Sequence, residues 1–353
     1  MNRLKAIFIL SFTLMVGASF AQQDTIVRAA ILDSADTQAD ELYNSGISQY
    51  QKKNYKGAIE DFTKSLELRE DFEPVYFNRA VCKSEEGDLL GAISDFDKAI
   101  AVVDNKPESW YLRGLAKYQL KDAEGALLDF HRTTKLELGH AQAHYYTGVI
   151  KFESKEYEEA ISAFSRAVVA DKRHAYAYND RGSAKRQIGD IDGAINDYKK
   201  ALMIDDGMAF THNNLGSVLR KKGDFKNALT SYSKAISLDK EYYIAYNNRG
   251  STYFDTGDFE EAIKDFSRAI ELKSDYAFAY NNRASAKFKL EDYQGCIDDC
   301  NKAIDLDANY AYAYQNRGCA KELIRDEAGA CEDWKKAGEL GAEGVKSFVG
   351  ICK

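Results

Sequence analysis

Residues 245–250 read AYNNRG and residues 262–270 read AIKDFSRAI. In the second stretch Ala262, Phe266 and Ala269 recur at helical spacing and mark one buried face. In the first, Gly250 lies twelve residues before Ala262, and Arg249 stands beside it where an apolar residue is expected. The same spacing runs through the chain. Gly46, Ala80, Gly114, Gly148, Gly182, Gly216, Gly250, Ala284 and Gly318 are each 34 residues apart. Twelve residues after each comes a second small residue: Ala58, Ala92, Ala126, Ala160, Ala194, Ala228, Ala262, Cys296 and Ala330. Four further on stands a large ring in eight of nine cases: Phe62, Phe96, Phe130, Phe164, Tyr198, Tyr232, Phe266 and Trp334, with Cys300 the exception.

Two small residues facing each other let antiparallel helices approach closely, and the ring fills the space beside the contact. Asp88, Asp122, Asp190, Asp224, Asp258, Asp292 and Asp326 precede the second helix as N-caps. Gly87, Gly189, Gly223 and Gly257 suit the end of the first. One helix pair cannot bury its own faces, so neighbours must stack. Nine units follow without insertion: 39–72, 73–106, 107–140, 141–174, 175–208, 209–242, 243–276, 277–310 and 311–344.

This pattern resembles the tetratricopeptide repeat (TPR) family over nearly the whole chain after residue 38. The resemblance implies an all-α, right-handed superhelical solenoid of antiparallel helix pairs. Counted from Ala39, the small residues hold positions 8 and 20 and the ring position 24. The chain departs from the family in two ways. The proline common at position 32 is absent, which predicts less rigidly specified turns between repeats. Arginine also replaces the usual leucine at position 7 in six repeats: Arg79, Arg113, Arg181, Arg249, Arg283 and Arg317.

In those six repeats the residue sixteen later is an acid: Asp95, Asp129, Asp197, Asp265, Asp299 and Asp333. A partly buried guanidinium needs such a partner, so the reading is an Arg–Asp bridge between the two helices of each repeat. Pairing with the preceding repeat's acid fails for Arg181 and Arg249, which would meet Ala163 and Ser231. Simple duplication of a repeat carrying both residues is the alternative. Lysines at position 11 (Lys83, Lys117, Lys151, Lys185, Lys287, Lys321) follow at a spacing where like charges repel on a helix. They are expected to lay their stems over the pair and send their charges to water.

In the family, first helices line a concave groove through positions 2, 5, 6, 9, 12 and 13. Here position 5 is aromatic in the first four repeats (Tyr43, Phe77, Tyr111, Tyr145) and asparagine in the next four (Asn179, Asn213, Asn247, Asn281). Position 9 changes in step, from Ile47, Val81, Leu115 and Val149 to Ser183, Ser217, Ser251 and Ser285. Position 6 adds Asn44, Asn78, Asn214, Asn248, Asn282 and Asn316, the last four in consecutive repeats. A carboxamide can bond both groups of a peptide unit without reading its side chain, and some superhelical family members hold a ligand backbone on an asparagine row. The expected groove is therefore apolar at its N-terminal end and amide-lined at its C-terminal end. The alternative is amides bonded to neighbouring helices or water. Aromatics at position 2 (Tyr176, Phe210, Phe278, Tyr312) and position 34 (Tyr242, Tyr276, Tyr310) either grip ligand side chains or pack between repeats.

The N-terminus differs from the rest. Arg3 and Lys5 precede the apolar run Ala6–Gly17, and Ser19 and Ala21 suit signal peptidase, so residues 1–21 read as a secretory signal peptide. An uncleaved anchor would need about 20 apolar residues. Residues 22–38 are a leader, whose segment Thr25–Leu32 is either a helix against Tyr43, Phe77 and Tyr111 or a free tail. Residues 345–353 complete a cap. The location this implies is the periplasm or outside the cell.

The formal charge of −8 falls further when Arg3 and Lys5 are removed, which argues against nucleic acid as partner. Export permits disulfides, and Cys331 with Cys352 is the preferred bridge among six cysteines, while Cys296 and Cys300 read as buried thiols in core positions. His140 and His144 have metal-like spacing, but they fit a turn and a packing position, so no metal or cofactor is expected. No constellation suggests catalysis. The chain reads as an exported, non-catalytic scaffold that binds a peptide or protein segment, with no membrane span after signal cleavage. The alternatives are an assembly factor of a bacterial envelope complex that uses outer surfaces, or a regulatory subunit of a separate enzyme.

Overall fold

The computed structural model describes residues 37–345 together with Phe348, Gly350 and Cys352. The expected signal peptide and nearly all of the leader lie outside the described residues. Among the described residues there are eighteen α-helices and no strand. The chain divides into two compact units at Leu138/Gly139. The first holds α1 (Thr37–Gln51), α2 (Tyr55–Leu68), α3 (Glu73–Glu85), α4 (Leu89–Val102), α5 (Pro107–Gln119) and α6 (Ala123–Leu136). The second holds α7 (Ala141–Glu153), α8 (Tyr157–Ala170), α9 (Ala175–Gln187), α10 (Ile191–Ile204), α11 (Ala209–Lys222) and α12 (Phe225–Leu238). It continues with α13 (Tyr243–Thr256), α14 (Phe259–Leu272), α15 (Ala277–Lys289), α16 (Tyr293–Leu306), α17 (Ala311–Leu323) and α18 (Glu327–Glu339). Within each unit odd- and even-numbered helices pair, and each pair stacks on the next. This is a solenoid of helix pairs.

The small residue of the first helix lies against the ring of the second. A Cβ added at Gly216 would stand 2.7 Å from the Tyr232 ring, and at Gly250 2.9 Å from that of Phe266. Phe62, Phe96, Phe130, Phe164, Tyr198, Tyr232, Phe266 and Trp334 are all buried. Six of the seven aspartates read as N-caps accept a backbone N–H of the first helical turn, as Asp190 does from Gly193 at 2.9 Å. Asp258 differs, because its carboxylate accepts the Thr256 hydroxyl instead, at 2.6 Å.

The turns between repeats are more regular than the missing proline suggests. The residue after each even helix up to α16 is extended, with φ between −127° and −144° in all eight cases. Four of these residues, Asp171, Asp205, Asp239 and Asp307, accept the backbone N–H two residues on at 2.8–2.9 Å. A short side-chain turn supplies the constraint that a proline ring would have imposed.

The contact between small residue and ring sets the test of the fold. Gly216→Val should push α11 from α12 and lower stability by about 1–3 kcal/mol, whereas Gly216→Ala, the arrangement found at Ala80 over Phe96, should cost less. Thermal unfolding of the two variants checks the order.

Candidate functional site

Each position-7 arginine lies across its helix pair. Arg79 donates from Nε and Nη2 to the two oxygens of Asp95 at 2.8 and 2.7 Å. The same two-pronged contact joins Arg113 to Asp129, Arg181 to Asp197, Arg249 to Asp265, Arg283 to Asp299 and Arg317 to Asp333, at 2.6–2.9 Å. The third nitrogen, Nη1, reaches back to the preceding repeat. It meets Thr63, Asp97, Ser165, Ser233, Ser267 and Asn301 in turn, at 2.5–3.1 Å. The guanidinium also lies over the position-4 ring, 4.7 Å from the Trp110 centroid and 5.7 Å from that of Tyr246.

The lysines do not send their charges to water. Lys83, Lys117, Lys185, Lys287 and Lys321 turn inward and bond the same aspartates at 2.7–2.9 Å. A carboxylate has lone pairs enough for both cations, and sharing it outweighs the repulsion between them. Lys151, whose repeat has Ala163 in place of the acid, bonds Glu156 instead at 2.6 Å. Repeat seven has Tyr253 at position 11, so Asp265 pairs with Arg249 alone among the described residues.

The apolar groove wall expected from the first repeats is not an open surface. Tyr43, Phe77 and Tyr111 are buried, with their rings 5.9 Å from those of Phe62, Phe96 and Phe130. They belong to the core because position 5 faces the position-24 ring. Tyr145, half-buried, packs likewise on Phe164 at 5.8 Å. The position-5 asparagines are also buried, and they join the position-6 amides of the next repeat into a ladder. Asn214 donates to Asn179 at 3.3 Å, and Asn248 to Asn213, Asn282 to Asn247 and Asn316 to Asn281 at 2.9 Å. These rungs hold one first helix to the next. Asn248 is buried, while Asn214, Asn282 and Asn316 are partly exposed, with their carbonyl oxygens not used by the rungs.

The ladder changes chemistry at Tyr145. Its hydroxyl donates to Asp180 at 2.9 Å, and Asn179 donates to the other oxygen at 2.8 Å. Burial nonetheless raises the Asp180 carboxyl to about 6, against the pull of these two donors. Beside the amides runs an aromatic edge. Tyr176 stacks on Phe210 at 6.0 Å, and Tyr243, Tyr276, Phe278 and Tyr310 form successive contacts at 5.0–5.8 Å. Tyr176 and Phe278 keep 53% and 37% of their surface exposed, enough for a ligand to reach.

At the C-terminus Cys331 and Cys352 form a disulfide, and Phe348 stacks on Trp334 at 4.9 Å, so the tail covers the last helix pair. Cys296 and Cys300 are buried thiols. His140 caps α7 by accepting the Ala143 N–H at 3.1 Å. Among the described residues no group of three or more His, Cys, Asp or Glu is placed to hold a metal, and no helix is long and apolar enough to cross a membrane.

Models of the tetratricopeptide repeat match residues 42–72, 111–175, 152–209, 243–276 and 279–310, and a TPR repeat model matches residues 216–257. Together they cover more than half of the chain, which therefore belongs to the tetratricopeptide repeat family. No curated protein matches it. Among solved structures, it is similar to a tetratricopeptide repeat protein from Parabacteroides merdae at 17% identity and TM-score 0.56, covering 70% of this chain and 98% of that one. It is also similar to the APC/C hetero-tetramer Cut9-Hcn1, at 15% identity and TM-score 0.55, covering 90% of this chain and 77% of that one. The crystal structure of MamA is 32% identical over 47% of this chain and 96% of its own, with TM-score 0.42. The first two likenesses are of fold.

Two predictions follow the charges. Arg249→Met should cost about 3 kcal/mol, because it strands the Asp265 carboxylate. Arg283→Met, which leaves Lys287 on Asp299, should cost less, and adding Asp265→Leu to Arg249→Met should recover most of the loss in urea unfolding. Asp180 binds a proton more tightly folded than unfolded, so its contribution falls as pH rises from about 4 to about 6 and stays low above. Asp180→Asn should therefore flatten the fall in melting temperature between pH 4 and pH 7 that Asp180 contributes to the parent chain.

Proposed function

We propose that this chain is an exported, non-catalytic scaffold that holds a protein segment on the first-helix face of its second unit. The observation that carries this reading is the partly exposed amide row of Asn214, Asn282 and Asn316 running beside the exposed rings of Tyr176 and Phe278. The buried half of each ladder rung fixes where the outer half stands. A segment laid there finds carbonyl acceptors for its backbone N–H groups and rings for its apolar side chains. Membership of a repeat family whose proteins bind peptide or protein partners supports the same conclusion. The segment from Arg3 to Ala21 supports export to the periplasm or beyond.

A second reading has an observation of its own. Val169 and Met203 hold the same position in consecutive repeats, on α8 and α10, and are 76% and 85% exposed, so an outer surface offers an apolar ridge to a folded partner. The two readings separate by photo-crosslinking in the producing cell's envelope. A crosslinking residue at Phe278 should trap a contiguous unstructured stretch of a partner, and one at Met203 should trap little. Strong capture at Met203 with none at Phe278 would move the partner to the outer surface.

A further inference from the structure

Position 12 of the first helix carries arginine in two consecutive repeats, Arg186 on α9 and Arg220 on α11. Arg220 donates from Nε to Asp255 at 2.6 Å, and Asp255 lies thirty-five residues on, at position 13 of the next first helix. The residue holding that place for Arg186 is Lys221, a second cation. Among the described residues no carboxylate pairs with Arg186, and its Nε is buried without a hydrogen-bond acceptor. A buried donor left unpaired is costly and uncommon in a folded chain.

The surroundings place this unmatched charge on the candidate binding face. Burial pushes the phenols of Tyr198 and Tyr232 up, and the positive charge of Arg186 opposes that rise at both, so the guanidinium lies near the two rings that floor repeats five and six. Lys221 is exposed. On the same two helices, Asn214 offers a partly exposed amide and Tyr176 an exposed ring stacked on Phe210.

From these observations we infer that Arg186, assisted by Lys221, receives an aspartate or glutamate side chain of the bound protein segment. The inference rests on the first-helix face being the binding face. The incoming carboxylate takes the place that Asp255 fills for Arg220, and the partly exposed Arg186 side chain turns to present its Nε–H to it. Tyr176 and Arg186 are ten residues apart on one helix, about 15 Å. An extended segment covers that distance in about four to five residues. The recognised sequence therefore carries an acid about four to five residues from an apolar or aromatic residue.

The test is selection of a random dodecapeptide library, displayed on phage, against the full chain. Wild-type selections should converge on sequences with an acid at that spacing from an apolar residue. A selected peptide, synthesised with an amidated C-terminus, should bind about tenfold more weakly when its acid becomes the amide. Arg186→Gln should weaken the unaltered peptide equally, and the two changes together should cost little more than either. Lys221→Gln, at an exposed position, gives a smaller loss in a chain whose folding is not at issue, and Arg186→Glu should prefer the peptide with lysine in place of its acid. Peptides that bind Arg186→Gln and Lys221→Gln as tightly as wild type overturn the inference while leaving the binding face intact. So do peptides whose binding depends on a free C-terminal carboxylate and not on an internal acid. Failure of any sequence to enrich on the wild type overturns the binding face itself, and the inference with it.

Discussion

The close approach of two helices at a pair of small residues is the constraint on which the rest of this molecule depends. With Gly250 over the Phe266 ring, α13 and α14 are locked in one register. That register brings Arg249 opposite Asp265, and the sixteen-residue interval then recurs wherever both residues are present. Stacking of one pair on the next brings position 5 of one first helix opposite position 6 of the following one, which is the thirty-five-residue step of every ladder rung. Buried polar groups are tolerated here because each repeat hands its neighbour a matching group. The net gain per hydrogen bond is about 1 kcal/mol, but the cost of leaving one unmade is larger, so the polar contacts select the register more than they add to stability.

The helix pairs could be read from spacing alone, because close helix pairing requires small residues and rings at these fixed intervals. The arginine pairing could also be read, since repeats within one chain act as their own controls: of the three repeats without the arginine, four and six also lack the acid, while repeat one keeps Asp61, which accepts the Ser45 hydroxyl at 2.7 Å. The lysines were harder. Like charges four apart on a helix repel, and that local rule says nothing about a carboxylate on the facing helix that both can reach. The informative signal was the joint presence of Lys and Asp, in five of the six repeats carrying the lysine.

The groove residues show where a position-by-position reading runs out. Assigning position 5 to a ligand-facing surface ignores that neighbouring first helices touch one another. The pairing was nonetheless in the sequence. Each position-5 asparagine is followed thirty-five residues later by another asparagine, Phe77 is followed by apolar Leu112, and Tyr43 by Asn78, which donates to its hydroxyl at 3.0 Å. Residues that change together across a fixed step are in contact, and that rule separates the inner wall from the outer face.

Repeat five is where this matching changes partners. Tyr145 on one side is a phenol and Asn214 on the other an amide, and Asp180 and Asn179 stand between them. A carboxylate can accept from a phenol and an amide at once, so Asp180 joins the aromatic repeats to the amide repeats without leaving either donor unpaired. The same repeat brings in the first position-12 arginine, and there the matching stops, because Lys221 offers Arg186 nothing that Asp255 offers Arg220. Among the described residues the buried side-chain donors left without an acceptor are Arg186 Nε and Trp334 Nε1, and of the two only the arginine carries a charge, so its missing acceptor is the costlier one.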